Sequence, residues 1–315
     1  SGVYIRLARA LGVPLDFFSA PVGARLKDVD FRKHSGTSVQ DRAKVETAVL
    51  QQVERYLLIE EILGLESSHW RQPCDRRFVH SIEDAETLAS EVRDSWELGS
   101  DPIPNLTELL EEHGVKVLML ELPDRVSGLT CLVERRDGDP VPVVVVNSRH
   151  GVERRRLTLA HELAHRILDA DGKIVEKAAT RFAGAFLMPR GHVPQKIGNS
   201  RKWLGVPEIV ATKRLYRVSA AALVVRLRDL DILPTERMTR IFMTIGRTWK
   251  RIEPEPLELG GHLFEKPKRF ERLCYRALAE GMISPVKAAE LLGCPVTEVE
   301  AAMDGEPIGA SGRNQ

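Results

Sequence analysis

Residues 154–172 read RRRLTLAHELAHRILDADG, and this stretch constrains the chain more than any other. Leu157, Leu159, Leu163, Ile167 and Leu168 flank the motif, so the segment is expected to be a helix partly sunk in a core. On it His161 and His165 stand at i and i+4, which points both imidazoles from one face. Two imidazoles at that spacing can share one zinc ion. Glu162 is rotated by about 100° around the helix. It cannot share the ligand direction, but it can reach a water on the metal, whose pKa the ion lowers. The plain alternative is two core-facing histidines, and on composition alone the motif arises by accident in about one chain of this size in fifty. Against it, unpaired histidines on a semi-buried helix are costly. The helix also stops soon after, at Asp169-Ala170-Asp171-Gly172, so that a third ligand can return from the next one. Glu176 stands there, with Ala179, Thr180 and Ala183 at i+3, i+4 and i+7 letting its helix pack close.

Three strand-like segments precede this helix: VKVLMLEL (115–122), SGLTCLVER (127–135) and VPVVVVNS (141–148). Asp137-Gly138 suits a hairpin between the last two. The remaining periodicity is helical: 3–12, 38–64 from a Ser38 cap, 81–99, 105–114, 173–189, 208–215, 219–230, 234–245, and a final pair at 267–282 and 284–303. The chain has 315 residues, 43% hydrophobic and 29% charged, enough for two or three globular domains. Its net charge of +1 argues for neither nucleic acid nor membrane, and no apolar run reaches the ~20 residues of a span. Cys74, Cys131, Cys274 and Cys294 are scattered with no CxxC pair, which fits a cytoplasmic setting without disulfides.

The run LTLAHELAHRILD, followed by VEKAATRFAGAFLMP, resembles the ImmA/IrrE family of metallo-endopeptidases. The resemblance covers most of residues 75–245. It implies zinc (Zn2+) held by His161, His165 and Glu176, with Glu162 as general base. The chain departs from the family pattern at Thr180, where the family has an Asn-type residue, and at Ala164, often glycine there. YIRLARALGVPLDFF at the start resembles the last helix of an Xre-type helix-turn-helix domain. The implied organisation is 1–25 as the remnant of that domain, 26–74 as linker and long helix, and 75–196 as a zincin-like peptidase domain. Residues 197–250 follow as its helical extension and 251–315 as a C-terminal helical pair for partner or oligomer contact. The expected fold class is α+β: a mainly helical chain with a small, three-stranded, mostly antiparallel sheet packed on the HExxH helix.

Two functions follow from the resemblance. The first is a zinc-dependent endopeptidase-type transcriptional regulator, cutting a helix-turn-helix repressor or a partner protein. The second is a non-catalytic, DNA-binding antitoxin of a toxin–antitoxin pair, with the zincin-like domain as a binding or sensing module. Either implies a protein substrate or toxin-like partner, DNA contact through the truncated N-terminal domain, no membrane, and room for a homodimer. His192, in a loop after Leu187-Met188-Pro189, is a candidate oxyanion or substrate contact; Tyr216 and Arg217 are weaker ones. Asn147 and Arg149 precede the helix, as a turn or as substrate contacts. The 141–148 strand is a candidate to pair with an extended substrate, or a plain core strand. Arg149, Arg154, Arg155 and Arg156 form one basic cluster, and Arg201, Lys202, Lys213, Arg214 and Arg217 another; with the net charge near zero, a protein partner is favoured over DNA for both.

Overall fold

The computed structural model describes residues 25–27, 39–65, 70–134, 139–172, 174–257 and 265–305. The expected helix at 3–12, the Ser38 cap and the Asp137-Gly138 turn lie outside them. Strands among the described residues are β1 (Arg25–Lys27), β2 (Arg77–Phe78), β3 (Lys116–Leu120), β4 (Gly128–Glu134), β5 (Val141–Asn147) and β6 (Leu168–Asp169). The helices are α1 (Val39–Ile62), α2 (Ile82–Ser95), α3 (Leu106–Glu112), α4 (Val152–Ile167), α5 (Val175–Leu187) and α6 (Val193–Ile197). They continue with α7 (Val206–Tyr216), α8 (Ala220–Asp229), α9 (Thr235–Met243), α10 (Arg269–Ala279), α11 (Pro285–Leu292) and α12 (Val296–Met303). None is long and apolar enough to cross a membrane.

The main sheet has the order β1-β4-β5-β3. It corrects the expected three-stranded sheet in two ways. A fourth strand, β1, pairs with β4, and β3 pairs with β5 in parallel instead of joining an antiparallel set. The β4–β5 hairpin itself is antiparallel. The unbroken valine run explains the interior place of β5. Val144 and Val146 belong to one hydrophobic core, and Val141, Val143 and Val145 to the other. A strand buried on both faces takes an interior place, as in parallel sheets. Residues 121–127 then cross the end of β5 to reach β4. Asn147 holds that crossing: its amide donates to the carbonyls of Leu122 (3.1 Å), Pro123 (3.4 Å) and Val126 (2.9 Å). Asn147 is fully buried, so it brackets the loop and is no surface contact.

Helix α4 lies against one face of the sheet, with α2, α3 and α5 in the same core. Val45, Val49 and Val53 of α1 cover the other face. The second half of α1, through Tyr56 and Ile59, packs on the C-terminal helices. The long helix is thus part of the core and bridges two clusters. The C-terminal helical pair is three helices: Gly293 ends α11 at φ 70°, a conformation that favours glycine, and Pro295 sets up α12. Ser81 and Asp84 form a reciprocal capping box at the start of α2.

Buried ion pairs tie these layers together. Fully buried Arg156 on α4 pairs with Glu265 and donates to the Ile103 carbonyl (2.8 Å). Glu265 in turn accepts from the backbone of Leu106 (2.9 Å) and Thr107 (2.8 Å), closing the N-terminus of α3. Lys213, equally buried, bridges Glu153 (2.9 Å) and Glu253 (2.8 Å). The two expected basic clusters are therefore not continuous surface patches. Arg156 and Lys213 are interior, Arg149 pairs with Glu121 and Asp124, and Arg201 pairs with Glu208.

Candidate metal centre

His161 and His165 occupy the last two turns of α4, and Glu176 the first turn of α5. The short link through β6 turns the chain back, so α5 packs against α4 through Ala179 and Ala183, both fully buried. The three side chains converge. The two Nε2 atoms are 3.2 Å apart, and Glu176 Oε2 and Oε1 lie 3.4 Å from those of His161 and His165. One ligand atom from each lies within 4.8 Å of the others. Two imidazole nitrogens and one carboxylate oxygen are a donor set suited to zinc, and three protein ligands leave a position open.

That open side is a pocket of about 280 Å³. Glu162 lines it beside the two histidines, largely buried, on the adjacent face of the same helix. Ser127, Gly128, Arg154, Leu157, Thr158 and Thr180 complete the wall. Arg154 is held by Ser127 Oγ (2.8 Å). Gly128 is required here. A Cβ on it would meet Thr158 Cγ2 at 2.5 Å and the Val145 carbonyl oxygen at 2.6 Å, so α4 could not lie this close to β4. The only sequence signal for it is a glycine opening a strand.

Thr180, expected as a small packing residue and as a departure from the family pattern, also lines the pocket and touches two of the three converging residues. Its hydroxyl donates to the Glu176 carbonyl (2.8 Å) and lies 3.4 Å from His161 Nδ1. With its proton given away, the oxygen can accept from Nδ1–H, which leaves Nε2 as the free ring nitrogen.

The structure places His192 elsewhere. It does not line the pocket. The chain after Met188 leads into α6, and His192 is buried, with Nδ1 3.0 Å from the Tyr216 hydroxyl. Tyr216 is thereby occupied in the interior, and Arg217 donates to the Pro104 carbonyl. Strand β5 is paired on both edges, so it has no edge to offer a substrate. The strand beside the pocket is β4. Among the described residues β1 pairs only with its far end, Leu132–Glu134, leaving the outer edge of Gly128–Cys131 without a strand partner.

No curated protein matches this chain. Residues 110–228, which contain His161, Glu162, His165, Glu176 and the strands β3 to β5, match the family model for the IrrE N-terminal-like domain, Peptidase_M78. The segment that builds the pocket is thus similar to a metallopeptidase-type domain, and that similarity is consistent with a regulator of this type.

Proposed function

We propose that this chain is a zinc-dependent endopeptidase within a regulator, acting on a protein partner. The observation that carries it is the convergence of His161, His165 and Glu176 at the mouth of a pocket that Glu162 also lines. A zinc ion held by the three would lower the pKa of a water beside it and polarise a peptide carbonyl. Glu162, one residue from His161 and turned into the pocket, takes the proton from the attacking water. It then returns a proton to the departing amine. Strand β4, whose Gly128 lines the pocket, offers backbone groups along Gly128–Cys131, which have no outer strand partner among the described residues, where an extended peptide can pair. Arg154, at the wall, adds a cation for an acidic side chain or a carboxylate.

The test uses metal analysis with cleavage assays. Wild-type and Glu162→Gln chains, both loaded with zinc, are incubated with unfolded casein and with any repressor encoded beside the gene. The expected outcome is about one zinc per chain in both proteins and cleavage by wild type alone. If both bind zinc and neither cuts any of the proteins offered, the peptidase reading fails and a binding module remains. If neither binds zinc, both fail.

A further inference from the structure

We propose that Lys202, Trp203, Arg237 and Arg240 form a binding site for single-stranded nucleic acid, separate from the metal pocket. The four line an open depression of about 280 Å³ with no carboxylate in its wall. Arg237 and Arg240 stand at i and i+3 on α9, on one face. Opposite them, the backbone amide of Arg201 donates to the Ile232 carbonyl (2.7 Å) and Leu204 is buried. These anchors fix Trp203 between them, 40% exposed. The Arg240 guanidinium carbon lies 5.8 Å from the centre of the Trp203 ring.

Two features mark this patch. Several exposed guanidinium groups of this chain end on carboxylates: Arg214 on Glu255 (2.7 Å), Arg272 on Glu108 (2.8 Å), Arg276 on Glu280 (2.7 Å). Lys202, Arg237 and Arg240 make no ion pair among the described residues. Like charges around one hollow repel each other, and Arg237 in the first turn of α9 also opposes the helix dipole. With a chain net charge of only +1, this excess is local. An anion relieves both costs. The tryptophan selects among anions, since a large exposed indole rewards a ligand with a flat face beside its charge. Single-stranded nucleic acid combines phosphates for the three cations with an unstacked base for the ring. An acidic peptide supplies the charge alone, and a duplex keeps its bases stacked.

The experiment measures binding of a fluorescein-labelled oligothymidylate by the full chain at increasing salt. The expected slope of log affinity against log salt is roughly −2, for three phosphate contacts on a single strand. The Arg237→Glu/Arg240→Glu variant should bind at least about tenfold more weakly with a flatter slope. Trp203→Ala should lose between about fivefold and a hundredfold at an unchanged slope, and Trp203→Phe should recover part of it. An abasic strand of the same length should bind as poorly to wild type as oligothymidylate binds to Trp203→Ala. All four side chains are exposed, so an unchanged melting temperature is expected and separates lost binding from lost fold. The proposal is overturned by wild-type binding that none of these changes alters, by no binding at low salt, or by equal or tighter binding of polyglutamate.

Discussion

In the first turns of α4, Glu153, Arg155 and Arg156 each end on a partner inside the protein. Further along the same helix, His161 and His165 turn their ring nitrogens towards each other and towards Glu176. The first set is complementary in sign: Glu153 meets Lys213, Arg156 meets Glu265, and Arg155 donates to the His150 carbonyl (2.6 Å). The second set brings together two imidazoles and a carboxylate, groups whose lone pairs suit a common cation. One helix thus anchors the fold with its first half and presents donors with its second. The anchoring is what lets the donors be held on a helix rather than on a loop. Breaking either half should therefore have a different signature.

The largest effect belongs to the anchored half. Arg156→Ala leaves Glu265 buried and uncompensated, and should lower unfolding free energy by about 3–5 kcal/mol. Urea denaturation measures it as a fall in the midpoint at unchanged slope. Arg156→Met combined with Glu265→Leu should recover most of that loss, because an apolar pair carries no charge to desolvate. A single substitution costing less than about 1 kcal/mol would mean that this end of α4 is not anchored through the pair.

Glu111 on α3 sharpens the comparison, because it is a buried carboxyl that makes no ion pair among the described residues, unlike Glu153 and Glu265. Burial pushes its pKa up to about 7, and the Tyr56 hydrogen bond together with Arg269 offsets this only in part. The folded value lies above the ordinary 4.5, so the folded state holds a proton that the unfolded chain releases. Stability from this group is complete below about pH 4.5, falls as pH rises through about 7, and is flat above. The loss is at most about 3 kcal/mol. Glu111→Gln should remove this slope, read as the difference between variant and wild-type denaturation midpoints at pH 5 and pH 8. Parallel pH profiles for the two proteins would show that Tyr56 and Arg269 compensate Glu111 fully.

For the donor half, zinc supplied at about a hundred times its dissociation constant should stabilise the folded chain by about 2.7 kcal/mol. Thermal unfolding with and without a chelator measures the shift. His161→Ala, His165→Ala and Glu176→Ala should each abolish it, and Glu162→Gln should keep it, because Glu162 lies to the side of the donor set. Equal stabilisation of Glu162→Gln and Glu176→Ala would remove Glu176 from that set.

Much of this division was legible in the sequence, and the parts that were not have physical reasons. Helices α2 to α5 followed from periodicity, which is a local signal; the side-chain caps Ser81 and Asn105 that close α2 and α3 came from the structure. That His161, His165 and Glu176 come together was legible too, since the i, i+4 spacing and the nearby Glu176 are short-range. The parallel place of β3 was not, because the valine run of β5 reports burial on both faces but not which strand lies on which side. Nor was the burial of Arg156 and Lys213, whose carboxylates arrive from residues 265 and 253, far along the chain. His192 was drawn towards the metal by sequence distance alone, whereas the turn after Met188 directs it to Tyr216.

The smallest effect tests the join between the two halves of the site, at Thr180. Its hydroxyl donates to the Glu176 carbonyl and faces His161 Nδ1 across 3.4 Å, a long contact, so it steers the ring rather than fixing it. Thr180→Val keeps the shape and removes the oxygen. Zinc affinity should fall about fivefold, equivalent to roughly 1 kcal/mol, with little change in the stability of the metal-free chain. Thr180→Asn, the residue type of the family pattern, carries a carbonyl oxygen on a longer arm and should hold Nδ1–H at least as well. Competition against a zinc-binding dye ranks the three proteins. An order of Asn at or above Thr, and Thr above Val, ties ring orientation to this position. Equal affinities would mean that packing of α5 on α4 orients His161 without help from the hydroxyl.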